Sequence, residues 1–235
     1  MRRETVNKIR YVLEEWLPPV LRDSRPMRWL FRLHWGRFID DLERFREEVT
    51  TLSPQAYRSI YERMPRIQHE TDNSRACLDA IAARLLSGKA VDVGCGTGYV
   101  VDFLSRQPAL RNTELYGVDF IIEPATKSRH PSIRFVEAPV EELPFPDGHF
   151  DTVVCTHVLE HVLDIRAAVT ELRRICAKRL IIVVPLEREY RFTFNPHLHF
   201  FPYPHSFLRN ILPVPPTAES RVIGRDLLYV EDRQS

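Results

Sequence analysis

A chain of 235 residues with 44% apolar side chains has the material for a sizeable core, which excludes disorder as its default state. Thirty-three lysines and arginines against thirty-two acids leave it near neutral, without the basic footprint of a nucleic-acid binder. Cys77, Cys95, Cys155 and Cys176 are scattered with no C-x-x-C pair, the pattern of reduced thiols rather than a disulfide framework or zinc ribbon.

The opening Met1-Arg-Arg-Glu-Thr-Val-Asn lacks the apolar centre of a signal peptide, and the longest apolar run, Leu180 to Leu186, is too short to span a bilayer. A cytoplasmic protein is expected, at most peripheral to the inner membrane surface. Residues 1–70 read as an N-terminal helical extension. Val6, Ile9, Val12, Leu13, Trp16 and Leu17 recur at helical spacing until Pro18-Pro19. A second stripe opens at Ser24-Arg-Pro26 and runs through Met27, Leu30, Phe31, Trp35, Phe38, Leu42 and Phe45. Ser53-Pro54 then starts a third, through Ala56, Tyr57, Ile60 and Tyr61. Five arginines between Pro19 and Arg37 interleave with Trp29, Leu30, Leu33 and Trp35, so this extension is either a lid on the main domain or a membrane-surface contact.

From residue 71 to 235 the texture is that of one α/β domain. Thr71-Asp72 is expected to cap a helix through Leu85, ended by Ser87-Gly88. Short β-branched runs then alternate with helical stretches: Ala90–Val93, Glu114–Val118, Ile133–Val136, Thr152–Cys155 and Leu180–Val184. Runs apolar on both faces suit buried parallel strands. Arg221–Ile223 and Leu227–Val230, flanking Gly224, suit a terminal antiparallel hairpin. The alternation predicts a doubly wound sheet.

Glycine is scarce, yet three of the eight fall within five residues, in Ala90-Val-Asp-Val-Gly-Cys-Gly-Thr-Gly-Tyr99. A strand that enters such a turn and leaves as a helix brings its backbone close to a ligand. The spacing is G-x-G-x-G after Asp92; Tyr99 stands where a dinucleotide fingerprint places its third glycine. Asp119 ends the next strand twenty-one residues after Gly98, where an acid can accept hydrogen bonds from both ribose hydroxyls. Further on stands Glu141-Glu-Leu-Pro-Phe-Pro-Asp-Gly-His-Phe-Asp-Thr-Val-Val-Cys-Thr-His-Val-Leu-Glu-His161.

In their order, these three motifs resemble the class I S-adenosylmethionine-dependent methyltransferases, in the subgroup whose "LPF…FD…LEH" block is shared by ubiquinone and menaquinone enzymes. The resemblance covers roughly residues 89–185. It implies a Rossmann-like, mostly parallel seven-stranded sheet and S-adenosylmethionine as cofactor. It assigns cofactor contacts to Asp92, Gly94, Cys95, Gly96, Gly98, Asp119, Val140 and Thr156, with Asp92 at the ammonium end and the Val140 amide at adenine. Two departures stand out. Ala138-Pro139-Val140 replaces the usual acidic residue before the adenine-side loop, and Ala177-Lys178-Arg179 replaces a glycine pair before the fifth strand.

By the same resemblance His157 faces the donor methyl. It is either the general base, suited by an ordinary pKa of ~6.5, or a pocket-lining residue. The resemblance also implies a candidate divalent-ion set, because some relatives bind an ion with a Glu and a His of this loop and a later His, here Glu160 and His161 with His197 or His199; such histidines more often line an acceptor pocket, and no metal is expected. The Asn/Asp-Pro-Pro-Tyr/Phe motif of base-directed amino-methyltransferases is missing, and Pro-Cys occurs nowhere. Together with a weaker resemblance to bacterial surface-polysaccharide methyltransferases, this points to a sugar, glycan or other hydroxylated acceptor. A quinone or natural-product acceptor and a non-catalytic cofactor-binding subunit are the alternatives. Oligomeric state is left open.

Overall fold

The computed structural model describes residues 11–36, 38–53, 55–57, 59, 71–191 and 196–233. Seven strands form one sheet in the order β3-β2-β1-β4-β5-β7-β6. They are β1 (Lys89–Val93), β2 (Glu114–Asp119), β3 (Arg134–Glu137), β4 (Phe150–Thr156), β5 (Cys176–Pro185), β6 (Glu219–Ile223) and β7 (Asp226–Asp232). The first five pair in parallel, while β7 runs antiparallel to both β5 and β6. The chain winds outward from β1 to β3 and then restarts on the other side at β4. The carboxyl ends of β1 and β4 therefore flank the switch point at which open α/β sheets bind ligands.

Both faces of the sheet are covered, which explains the unbroken apolar runs. Val91, Val93, Leu180, Ile182 and Val184 pack with the helix Ile165–Ile175 on one side. Ala90, Val154, Ile181 and Val183 pack with the helices Arg75–Ala82 and Tyr99–Ser105 on the other. Period-two side-chain alternation sends neighbouring residues of one strand into separate cores. The helix Ile165–Ile175 passes directly into β5, its C-cap Cys176 being the first strand residue, so the glycine pair missing at Ala177-Lys178 has no turn to serve.

The strands match expectation to within a few residues, and the predicted hairpin at Gly224 forms the sheet edge. Two helical expectations are corrected. The helix after residue 71 starts at Arg75 and ends at Ala82, three residues short of Leu85; Ser74 caps it by accepting from the Cys77 amide at 3.1 Å. Thr71 instead accepts from the Asn73 amide and side chain. The stripe from Met27 to Phe45 is two helices, Arg25–Trp35 and Phe38–Glu48, broken at Gly36, whose φ of 64° belongs to the left-handed region. Ser53 accepts from the Ala56 amide where the third stripe was expected to start, and Ser24 caps the helix Arg25–Trp35 by accepting from the Met27 amide. Residues 1–10, Ile60 and Tyr61 lie outside the described residues.

Leu13, Phe31 and Ile39 of the N-terminal region bury together with Tyr190, which follows β5. Arg46 donates to the Tyr190 carbonyl at 3.0 Å, Asp23 accepts from the Arg191 amide at 3.0 Å, and the Arg22 guanidinium lies 5.3 Å from the Tyr190 ring centre. The N-terminal helices thus clasp the segment that leaves β5.

Candidate active site

The glycine turn is bent to the sheet by its own backbone. The Gly94 and Cys95 amides both donate to the Val118 carbonyl, at 2.7 and 2.9 Å, which ties the turn after β1 to the end of β2. Gly94, Gly96 and Gly98 all hold positive φ, 81°, 53° and 81°. At Gly94 an added Cβ would stand 2.0 Å from Val158 Cγ2, so that glycine is there for close packing against the β4 loop. At Gly96 an added Cβ meets nothing within 4 Å, so the turn is open to a ligand there. Cys95 is buried beneath it.

Asp119 does more than the sequence suggested. Its Oδ2 accepts from the Gly96 amide at 2.7 Å and its Oδ1 from the Ile121 amide at 3.2 Å, so the predicted ribose acceptor also holds the turn. A carboxylate with about four lone-pair sites retains capacity for ribose hydroxyls alongside these.

Asp92 is 2% exposed, and neither carboxylate oxygen has a hydrogen-bond partner. Burial first, and the nearby Asp119 second, push its carboxyl up to about 7. A buried carboxylate without partners is costly, and a cationic or donor group brought to it relieves that cost. The residues present therefore fit the sulfonium- and ammonium-bearing S-adenosylmethionine.

Val140 is buried just past β3. The stretch after it is fixed by Arg174, which donates to the Leu143 carbonyl at 2.9 Å, the Phe145 carbonyl at 2.7 Å and Asp147 at 3.0 Å while paired with Glu171. Glu171 in turn accepts from the Leu143 amide at 2.9 Å. The Glu171-Leu-Arg-Arg174 stretch thus staples the "LPFPD" loop.

Thr156 is buried, and its hydroxyl accepts from Asn73 Nδ2 at 3.0 Å. Asn73 escaped sequence reading; its Oδ1 is buried without a partner, a second acceptor of the kind Asp92 offers. His157, next in sequence, holds φ of 54°, the one positive value at a non-glycine among the described residues. Its amide donates to the Val183 carbonyl, and its ring lies between Glu160 (Nδ1 to Oε1, 3.5 Å) and Asp226 (Nε2 to Oδ1, 3.8 Å). Burial disfavours the charge on His157, but the Glu160 hydrogen bond and the Asp226 carboxylate outweigh it, raising the imidazole to about 9. The ordinary value near neutrality is not kept: the two carboxylates shift His157 toward the cation. Asp226, from β7, is a site residue no local pattern announced.

Beyond His157 lies a second polar layer. Burial resists ionisation of Glu160, yet its hydrogen bond to His157 and the neighbouring histidines bring its carboxyl down to about 2. Burial, then the charge of His197, lower His161 to about 4. The structure brings His197 into this layer beside Glu187 and sends His199 elsewhere, its Nε2 donating to the Val162 carbonyl at 2.8 Å. Tyr57 crosses from the N-terminal region, donating to the His161 carbonyl at 2.7 Å and packing on Phe120 beside Asp119.

Residues 91–184 match the family model described as "Methyltransferase domain". With the doubly wound sheet and the glycine turn, residues 91–184 are thus similar to a methyltransferase domain in sequence and in fold. The chain is similar to a demethylmenaquinone methyltransferase of Roseiflexus sp., 38% identical over 107 residues that cover 43% of either protein. It is also similar to a 2-phytyl-1,4-naphtoquinone methyltransferase of Trichormus variabilis, 36% identical over 93 residues, covering 36% of this chain and 40% of the other. The chain thus spans less than half the length of the curated relatives it matches. A solved structure from Pyrococcus horikoshii superposes with a TM-score of 0.53 at 18% identity, over 77% of this chain and 93% of its own, a likeness of fold.

Proposed function

We propose that the whole chain is an S-adenosylmethionine-dependent methyltransferase that methylates a hydroxyl of a sugar, glycan or similar small acceptor. The observation that carries the first part is the buried, partnerless Asp92 carboxylate beside a glycine turn that is open at Gly96. Asp92 and Asn73 Oδ1 would receive the ammonium end, Asp119 the ribose and the Val140 amide the adenine.

Bound S-adenosylmethionine supplies an activated methyl on a positive sulfur. The protein's task is then to align a nucleophile, exclude water and receive a proton. Two roles stand for His157. As a general base it must surrender the proton that Glu160 and Asp226 hold on it; as a cation it lines the pocket and fixes both carboxylates. The geometry supports the second role at neutral pH. For the acceptor, the polar groups around the end of β4, the buried Glu160, Asp226 and His197 and the half-buried His157 and His161, suit a hydroxylated molecule better than a flat apolar ring. A quinone-type acceptor is the second reading, favoured by the names of the two relatives.

Calorimetry with S-adenosylmethionine, followed by transfer of labelled methyl into hydroxylated glycans and reduced quinones, tests both parts. No cofactor binding sinks the whole reading. Label in the quinone set alone sinks the sugar assignment.

A further inference from the structure

The sheet ends at β6, which pairs with β7 and with no other described strand. Glu219, Ser220, Arg221 and Val222 are all exposed, the apolar Val222 at 49%. In a hairpin closed by two residues, here Gly224 and Arg225, the residues beside the turn exchange both backbone hydrogen bonds, and the alternation runs back from there. Ile223, Arg221 and Glu219 therefore commit their backbone groups to β7. The N–H and C=O groups of Ser220 and Val222 point away from the sheet, and no described backbone group outside the hairpin bonds to them. Proline or a bulge commonly blocks such an edge, and β6 has neither. Its charges are also unanswered at home. Arg221 has no acidic partner among the described residues, and the Glu219 side chain, 72% exposed, meets Arg84 only at 3.8 Å.

We infer that β6 is a self-docking edge, on which a second copy of this chain adds antiparallel about Ser220 and extends the sheet across a two-fold axis. Charge selects that register. The two-fold pairings that engage Ser220 and Val222 are centred on Ser220, Arg221 or Val222. Centred on Arg221, two arginines stand face to face and repel. Centred on Val222, Arg221 faces an isoleucine, and Glu219 faces an Arg225 already paired with Glu14. Centred on Ser220, each Glu219 faces the Arg221 of the other copy. The Ser220 amides and carbonyls then exchange hydrogen bonds, and each Val222 amide reaches an Ala218 carbonyl. Glu219 and Arg221 share one face of the strand. Beside Glu219 lies a cavity of about 360 Å³ bordered by Arg84, Arg179, Thr217 and Asp232, so an incoming guanidinium finds room next to its carboxylate. The inference is independent of methyl transfer.

The full chain, followed by light scattering over a concentration series at low salt, where charge pairing is screened least, should pass from the mass of one chain to that of two. E219R and R221E each set like charges opposite one another and should stay monomeric alone. Mixed in equal amounts they should pair, because every arginine of one then faces a glutamate of the other. The double variant E219R/R221E should pair by itself. S220P removes an amide that serves the second copy and not β7, so it should stay monomeric with the circular dichroism of the wild type. A wild type with the mass of one chain throughout overturns the inference. So does an equal mixture that fails to pair. Single variants that dimerise as well as the wild type also overturn it, and move the contact to another surface such as the exposed tryptophans of the N-terminal helices. If a single variant is misfolded by circular dichroism, the double variant and S220P decide.

Discussion

Two halves of this molecule build their sites by different means. The half at the ends of β1 and β2 works through backbone: positive-φ glycines, two amides on one carbonyl, and one aspartate holding the turn by its Gly96 amide. The half at the ends of β4 and β5 works through side chains that arrive from everywhere. Asn73 reaches Thr156, Asp226 flanks His157, Tyr57 holds His161, and Arg225 pairs with Glu14 from the N-terminal region. A backbone-built site tolerates exchange of most side chains but not of its dihedrals. A side-chain-built site should lose its parts one ion pair at a time.

The largest effect should come from Gly94→Val. Both the left-handed φ and a Cβ driven into Val158 oppose it, so cofactor binding and the fold should fail together. Gly96→Val shares the strained φ but meets open space, so binding should vanish while the fold persists. Thermal melting with calorimetry separates the two. Equal loss of stability in both variants would mean that the Gly96 position is closed.

On the side-chain half, Arg225→Ala removes the cation that pairs with the buried Glu14, and stability should fall. Hydrogen exchange should rise first in the region around Leu13 and Phe31, with cofactor affinity unchanged. A parallel loss of affinity would erase the distinction between the halves.

How far each half was legible in the sequence follows the same line. The strand runs, the glycine turn, Asp119 and the "LPFPD" loop are local patterns, and they lie where their spacing put them. Gly36 was passed over because the apolar stripe continues through it in register, although the chain turns there. Thr71-Asp72 resembled a cap because periodicity does not say which of several polar residues meets the first turn. Asn73 and Asp226 left no signal at all, because their partners Thr156 and His157 lie 83 and 69 residues away in the chain.

Asp92 sharpens the comparison through pH. Its folded value of about 7 lies far above the ordinary carboxylate range of ~3.9. The neutral form is therefore favoured by the fold. The cost of ionisation is absent below about pH 4, grows toward pH 7 and is constant above it, reaching at most about 4 kcal/mol. The cationic cofactor prefers the ionised form, so affinity should rise ~10-fold between pH 6 and pH 8. Asp92→Asn should bind weakly with a flat profile, and its apo form should melt later than wild type at pH 8. A flat wild-type profile would place the ammonium end elsewhere.

The smallest expected effect concerns the outer face of the N-terminal helices. Trp16, Val20, Leu21, Trp29, Leu30 and Leu33 are all more than half exposed, so among these residues the apolar stripe does not pack on the main domain. The arginines that suggested electrostatic attraction are differently placed. Arg28 pairs with Asp40 and Glu43 at 3.0 and 2.9 Å, and Arg32 with Asp40 at 3.3 Å. Arg22 is buried against Asp23. With its charge largely answered inside the protein, this face has apolar area to offer a lipid surface and little net attraction for an anionic one. We propose a weak peripheral contact governed by the exposed tryptophans and leucines. No helix among the described residues is long and apolar enough to cross a membrane, so a contact by these helices would be superficial. Flotation with vesicles should be partial, equal for neutral and anionic compositions, and unchanged by salt, because screening acts on charge and not on apolar burial. Trp29→Ser should reduce it. Flotation that needs anionic lipid and disappears at high salt would return the arginines to the leading role, and the absence of any flotation would make the helices a lid.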